Sequence, residues 1–319
     1  MESKNNWKAW LYLAPILILL AVFTFYPIAN TFFISFLKNY DYMNETFDGL
    51  TFENYLRILT PIDAYEGDIT GTEFESFFMV ALPNTALLTF ITVPVSIALS
   101  LIIAICLNSI KPLKKVYQTV FFMPYVTNAI AIGMVFSIIF DSRYGLFNSL
   151  FGMQGFPWIS YNSQTGDKVN YWSALFAVSF YIVWHSLPYK ILIFLGGLQN
   201  IDAQYYEAAK IDGSSSVKTA WKITVPLLSP QILYIMITSF IGAFKEYNSV
   251  IGLFGSDGGS FDKTTGPSSM QTVVYYIYYQ MDPYRNNIAI ASAAAVVLFL
   301  IILAFTGIQF RVSKRRVHY

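Results

Sequence analysis

Four ionisable side chains stand inside long apolar runs: His185, Lys190, Lys245 and Glu246. A charged group at the centre of a bilayer costs roughly 2.5–3.5 kcal/mol on insertion scales, so such groups face a cavity or a partner. On a helix, His185 and Tyr189 are four residues apart and share a face, with Trp184 beside them. Lys245, Asn248 and Ser249 form a second set of this kind. At about 1.5 Å per residue both sets fall near the middle of their runs. Together they supply ring faces and paired donors and acceptors, which is the chemistry of binding a polar solute. Bond-breaking chemistry has no comparable set. There are no paired catalytic carboxylates and no G-x-S-x-G or H-E-x-x-H pattern. The glycine-rich stretch 255–264 contains Lys263-Thr264, but Asp262 stands where a phosphate-binding loop needs glycine. Cys106 is the single cysteine, so neither a disulfide framework nor a zinc constellation is available. The chain is therefore expected to bind no cofactor and no metal, and not to hydrolyse ATP itself.

The elements that hold these residues follow from composition. Hydrophobic residues make up 55% of the chain and charged residues only 12%, about half the usual charge content. A run of about 18 or more uncharged apolar residues crosses the roughly 30 Å hydrocarbon layer as a helix. Six runs qualify: 10–36, 77–110, 116–140, 171–201, 225–254 and 288–310. The expected fold is an all-α, polytopic membrane bundle of six transmembrane helices. Pro15, Pro27, Pro83, Pro94, Pro124 and Pro188 lie within these runs, which predicts kinks where neighbouring helices re-satisfy freed carbonyls. The first run has 27 uncharged residues, longer than the about 7–15 of a signal-peptide core, and is read as a retained anchor.

Charge asymmetry sets the expected orientation. On one side lie twelve basic residues, among them Lys4, Lys8, Lys114, Lys115, Lys210, Lys218, Lys222 and Arg311, against four acids. On the other lie six basic residues and fourteen acids, nine of them between Asp41 and Glu75. The positive-inside rule places both termini and the 202–230 segment in the cytoplasm, and the acidic 37–76 loop outside. The terminal Lys314-Arg315-Arg316 reads as a membrane anchor facing anionic headgroups, and no nucleic-acid partner is implied. The pentad 275–279, rich in tyrosine, reads as an interfacial belt.

Between the fourth and fifth runs lies a polar segment, Glu207-Ala208-Ala209-Lys210-Ile211-Asp212-Gly213. Asp202 can cap a helix over 203–212, Gly213 can take positive φ at its end, and 214–216 can cap a second short helix through Ile223, stopped before Pro226. Ala208 and Ala209 permit close approach of another surface, and Glu207 offers it a carboxylate for an arginine. An ordinary amphipathic interfacial loop would fit the same spacing.

These residues, with Ile223, Pro226-Leu227-Leu228 and Pro230, resemble the EAA loop of inner-membrane permease subunits of ABC importers. Further segments, among them Tyr26-Pro27, Glu53-Asn54-Tyr55, Asn84-Thr85, Phe122-Met123-Pro124 and Gly197-Leu198-Gln199-Asn200-Ile201, resemble the carbohydrate branch, the MalF-like and LacF-like permeases. The resemblance covers nearly the whole chain. It implies a type I importer bundle forming a single domain over 1–319, with a transport core at 77–310. The implied partners are a second homologous permease, two cytoplasmic ABC ATPases that carry ATP and Mg, and an extracytoplasmic sugar-binding protein. It further implies that Glu207, Ala208, Ala209, Asp212 and Gly213 couple the chain to one ATPase. The substrate path would involve Trp184, His185, Tyr189, Lys245, Glu246 and Asn248. In such permeases the positions of Trp184 and Tyr189 supply aromatic contacts and those of Lys245, Glu246 and Asn248 amides, so the charged pair Lys245-Glu246 departs from the pattern. Lys245 and Glu246 pairing with each other or with His185, Trp184 and Tyr189 packing as core, and Lys190 serving a subunit contact are alternatives on spacing alone. A permease for a non-sugar polar solute, a secondary transporter and an intramembrane enzyme are the competing classes. The last two lack, respectively, inverted halves with an ion relay and a catalytic set.

Overall fold

Apolar sequence without a partner for its backbone has one solution in lipid, which is to close every hydrogen bond within a helix. Most of the described residues lie in helices. The structure is a computed structural model that describes residues 6–61, 72–110, 114–153, 155–160, 166, 168–282 and 285–313. Lys4, the middle of the acidic loop and the basic triplet 314–316 lie outside the described residues. Among those described there is no strand, only isolated bridges such as Leu37 with Leu50 and Asp41 with Thr46.

Four continuous helices are long and apolar enough to span: Trp10–Ile34, Glu75–Ser109, Tyr171–Gln199 and Ile288–Val312. They belong to α1 (6–34), α3 (72–109), α7 (Tyr171–Gln199) and α12 (Ile288–Ser313). The short α2 (Glu53–Leu59) precedes α3. The third and fifth expected spans are bent pairs instead of rods. α4 (Lys114–Val126) meets α5 (Ala129–Ile139) at 98°. Later, α9 (216–227) meets α10 (Ser229–Phe244) at 69°. Counting each pair as one span gives six.

The breaks have local causes. At the first, Asn128 turns extended and its side chain accepts the N–H groups of Ile130 and Ala131 at 2.9 and 3.2 Å, starting α5 afresh. The fifth run also breaks again beyond α10. Lys245, Glu246 and Tyr247 leave the helix, and α11 (Asn248–Phe254) begins anew.

Proline does not stop the chain where expected. The second short helix runs past Ile223 and through Pro226, because a wide π turn over Ala220–Thr224 precedes it, with the Val225 N–H bonded to the Ala220 carbonyl. The same device recurs: π turns at Ala21–Phe25 and Glu75–Ala81 end two residues before Pro27 and Pro83. A proline lacks the N–H for its i−4 carbonyl and clashes with it, and a turn widened to i+5 spacing relieves both. Pro94 and Pro188 are carried inside continuous helices.

The contacts divide the chain into two compact units. In the first (residues 1–78 and 276–300), the Trp10–Ile34 window buries nothing, while Phe32 meets Phe299 edge-on. Beyond α1 the chain forms a tight hairpin. Asn54 is buried and donates to the carbonyls of Ser35 and Leu37, both at 2.9 Å, and Glu53 receives Arg57 and Lys38. At the hairpin tip the Asn44 side chain and the Met43 N–H hold the Asp41 carboxyl below the usual carboxylate range. The second unit (79–275 and 301–319) is built on α3 and α7, which pack along each other, with α10 on α3 and α4 on α7. α5 crosses α11 at Gly133 and Gly252, backbone on backbone: a Cβ on Gly133 would lie 2.7 Å from the Gly252 Cα. Small residues at such crossings let membrane helices approach closely.

Candidate functional site

Two regions of the second unit carry the residues singled out above, at opposite ends of the problem: one exposed, one enclosed.

The 202–230 segment folds as its sequence directs. Asp202 caps α8 (Ala203–Ile211) by accepting the Gln204 N–H at 2.9 Å. Gly213 takes φ +64°. Its N–H bonds to the Lys210 carbonyl at 3.1 Å and the Ser214 N–H to the Ala209 carbonyl at 2.9 Å, the paired bonds of a Schellman turn. Ser215 then caps α9 through the Lys218 N–H. Glu207 and Ala208 are exposed, but Ala209 is buried within this chain. Only one of the two alanines thus offers a surface to a partner. Residues that spacing did not single out join the exposed side: Ile211 is 87% exposed, and Val217 and Trp221 are also bare. Apolar side chains beside a carboxylate on a rigid turn form a surface suited to a protein partner. Behind the segment, a recess of about 500 Å³ is lined by Asn108, Tyr206, Lys210, Ser214, Thr219 and Thr224, among others.

A cavity of about 310 Å³ opens where α3, α4, α7 and α10 converge. Thr92 and Val93 contribute from α3, Tyr125 from α4, and Thr238 and Ser239 from α10; α7 contributes Ile182, His185, Ser186, Tyr189 and Lys190. Glu246 closes one end. Of the six expected path residues it brings together His185, Tyr189 and Glu246. Trp184 is turned away, with its ring 5.1 Å from Phe136 in the aromatic core. Lys245 and Asn248 are exposed and do not line the cavity.

The reason is the break after Phe244. Lys245, Asn248 and Ser249 do not form one helical face, because Glu246 Oε1 accepts the Ser249 N–H at 3.0 Å and starts α11. Its carbonyl accepts the Thr272 hydroxyl at 2.6 Å. Glu246 therefore does not pair with Lys245, and both lie in the break between α10 and α11.

Lys190 is part of the cavity wall. It is 5% exposed; its ammonium donates to Ser96 Oγ at 2.5 Å and to Ser186 Oγ at 3.1 Å. Both hydroxyls in turn donate to backbone carbonyls, those of Val93 and Val183, so their lone pairs are free to receive the lysine. Among the described residues Lys190 makes no ion pair. His185 Nε2 is buried with no partner among them, and its ring lies 5.7 Å from Tyr181. Tyr125 stacks on Tyr189 at 5.8 Å and 18°, and the Tyr189 and Tyr234 hydroxyls are 3.3 Å apart. The cavity thus offers a flat aromatic wall, two oppositely charged groups and several hydroxyls. No group of three or more His, Cys, Asp or Glu among the described residues could hold a metal.

A bundle of apolar helices around a cavity lined by His185, Lys190 and Glu246, with a capped, exposed helix–turn–helix following one of its spans, is the architecture of a membrane transport subunit. Residues 96–318 match the model of the binding-protein-dependent transport system inner membrane component family, and the chain belongs to that family. It is 30% identical over 310 residues to the arabinooligosaccharides transport system permease protein AraP of Bacillus subtilis, covering 95% of this chain and 88% of the relative. It is 27% identical over 317 residues to the sn-glycerol-3-phosphate transport system permease protein UgpA of Agrobacterium fabrum, covering 99% and 97%. Its fold is similar to that of a chain in the crystal structure of a bacterial ABC transporter involved in the import of the acidic polysaccharide alginate. The TM-score is 0.73 at 16% identity, covering 99% of this chain and 98% of that one.

Proposed function

We propose that this chain is one permease half of an ATP-driven importer and carries a sugar, with oligosaccharides the favoured class, across the bacterial plasma membrane. The observation that carries the reading is the cavity, where the Tyr125–Tyr189 stack stands beside Glu246, His185 and the Lys190–Ser186 pair. Sugar rings present apolar faces that stack on aromatic rings, while their hydroxyls need both donors and acceptors.

In this reading both termini and the 202–230 segment face the cytoplasm. Glu207 pairs with an arginine of a partner ATPase, Ala208 and Ile211 seat in its cleft, and Asp212 and Gly213 fix the turn that makes α8 a lever. The partner holds ATP and Mg, and this chain has no catalytic role. A second permease completes the path, and an extracytoplasmic binding protein delivers the cargo. ATP-driven closure of the motor moves α8, and the bundle switches access by rigid-body motion.

The test is uptake into proteoliposomes containing the complete assembly, with labelled mono-, di- and oligosaccharides and glycerol 3-phosphate offered with the binding protein. Uptake of a sugar that stops when ATP is withheld is the expected result. Uptake without the ATPase would make the chain a secondary transporter. Transport of glycerol 3-phosphate alone would favour the second reading, a non-sugar polar solute, for which the buried cation Lys190 gives a structural reason.

A further inference from the structure

Between α5 and α7 the chain ties a small knot. Asn148 is 3% exposed. Its amide nitrogen reaches the carbonyls of Asp141, Ser142 and Phe156, and its oxygen accepts Trp158 Nε1 at 2.7 Å. The Asp141 carboxylate accepts the N–H groups of Arg143 and Tyr144, both at 2.9 Å. Gly145 sits so tightly that a Cβ there would lie 2.2 Å from the Asp141 carbonyl oxygen. Phe147 points inward, with its ring 4.8 Å from Phe140 and 5.2 Å from Trp158. The backbone of α6 (Leu146–Phe151) and its flanks is therefore held from several directions.

Apart from Arg143 and Ser149, the large side chains that this rigid segment displays are apolar. Tyr144, Leu146, Leu150, Phe151 and Met153 are exposed, Tyr144 at 88% and Leu150 at 71%. A water-facing loop would not hold such a cluster in place without a use for it. The cluster is continuous with a second apolar surface. Trp172, Phe176 and Phe180 are exposed at four-residue spacing along one face of α7, and Phe147 touches both Phe176 and Phe180, at 6.2 and 6.3 Å. α7 is long and apolar enough to span, which sets this face toward hydrocarbon, and the exposed apolar side chains of α6 adjoin it through Phe147.

The geometry points to a lipid-inserted crest: α6 lies in the membrane interface with Leu150 and Phe151 in the acyl region and Tyr144 at headgroup level. The crest sits beside the N-terminal part of α7, while α8 follows its C-terminal end, about 40 Å away along the helix axis. α5 leads directly into the crest and is locked to α11 through Gly133 and Gly252. The crest therefore pins the α5–α11 pair to one leaflet at the end of the bundle remote from the lever. The inference stands on exposure and packing alone and is independent of which solute is carried.

The test uses site-directed spin labels on the full chain in its assembled transporter, in nanodiscs of phosphatidylethanolamine and phosphatidylglycerol. Cys106, the single cysteine, is exposed and is first replaced by Cys106→Ser. Labels at Leu150→Cys and Phe151→Cys are compared with Phe176→Cys as the lipid reference and Glu45→Cys, on the exposed hairpin, as the water reference. The expected result is a several-fold excess of oxygen over nickel-chelate collisions at 150 and 151, matching position 176. A nickel-favoured signal like that of position 45 would overturn the inference by placing the crest in water. Low collision with both reagents would also overturn it, because a protein partner would then cover the crest. All of these side chains are exposed, so the labels do not threaten the fold.

Discussion

The lever and the cavity are built by opposite means. In the 202–230 segment the capping bonds are short in sequence, Asp202 to Gln204, Gly213 to Lys210, Ser214 to Ala209 and Ser215 to Lys218, and the longer tie between the Tyr206 and Thr224 hydroxyls still stays inside the segment. Glu207, Ala208, Ile211, Val217 and Trp221 are exposed. In the cavity, local bonds such as Lys190 to Ser186 are joined by long ones: Lys190 reaches Ser96 across 94 residues, Tyr189 meets Tyr234 across 45, and Glu246 receives Thr272 across 26. A locally tied element can swing as a body without changing its own shape. A site tied between helices changes shape whenever those helices shift, which suits the cargo role proposed for the cavity.

The most severe test of this contrast is Gly213→Pro. Proline cannot adopt φ +64° and lacks the N–H that reaches Lys210, so uptake should fall to background while the binding protein still docks. Glu207→Arg should do the same through charge alone, with the fold intact by circular dichroism. Persistent full uptake in both would detach the segment from the motor. Next is Gly133→Val, whose side chain would collide with the Gly252 backbone. Overpacking of this kind costs about 1–3 kcal/mol, to be read as a lower melting temperature of the purified chain.

A smaller effect separates cavity from core. Tyr189→Ala should raise the apparent KM for uptake about two- to tenfold, since aromatic contacts contribute about 0.5–1.5 kcal/mol. Trp184→Ala, which removes core packing against Phe136, should lower stability, on the order of 3 kcal/mol, and leave KM unchanged. The reverse pattern would exchange their roles. Ser96→Ala leaves Lys190 one partner fewer and should cost about 1–3 kcal/mol, with Ser96→Thr restoring the loss.

The mildest prediction concerns the hairpin tip. Asp41 is held below its ordinary value of 3.8 by the Asn44 side chain and the Met43 N–H. A lowered folded value means that its stabilisation is complete well above 3.8 and fades as pH falls through the lower folded value. Amide exchange at Met43 should quicken only in that acidic window; exchange insensitive to pH there, after correction for intrinsic rates, would remove the bond.

How much of this could be read beforehand follows the same division. The caps at Asp202 and Gly213 were legible because a cap is a local bargain between one side chain and the next turn. The four continuous spans were legible because apolar length alone decides them. The break at Lys245 was not, since the group that restarts α11 is the carboxylate of Glu246, and what fixes its backbone is Thr272 on a distant segment. Nor were Tyr125, Lys190 and Thr92 as cavity residues, because helix packing and no local pattern brings them to one place. Gly133 and Gly252 were equally silent: each is unremarkable until the other is known to lie against it.

The widened turns ahead of Pro27, Pro83 and Pro226 have an evolutionary corollary. Each holds one residue more than an ordinary turn, and each residue advances a helix by about 100°. Losing that residue together with its proline would restore regular winding and spin everything downstream by the same angle. Two descendants of one ancestor could thus share every apolar stretch and yet present different flanks to the solute, a divergence that an ungapped alignment would hide.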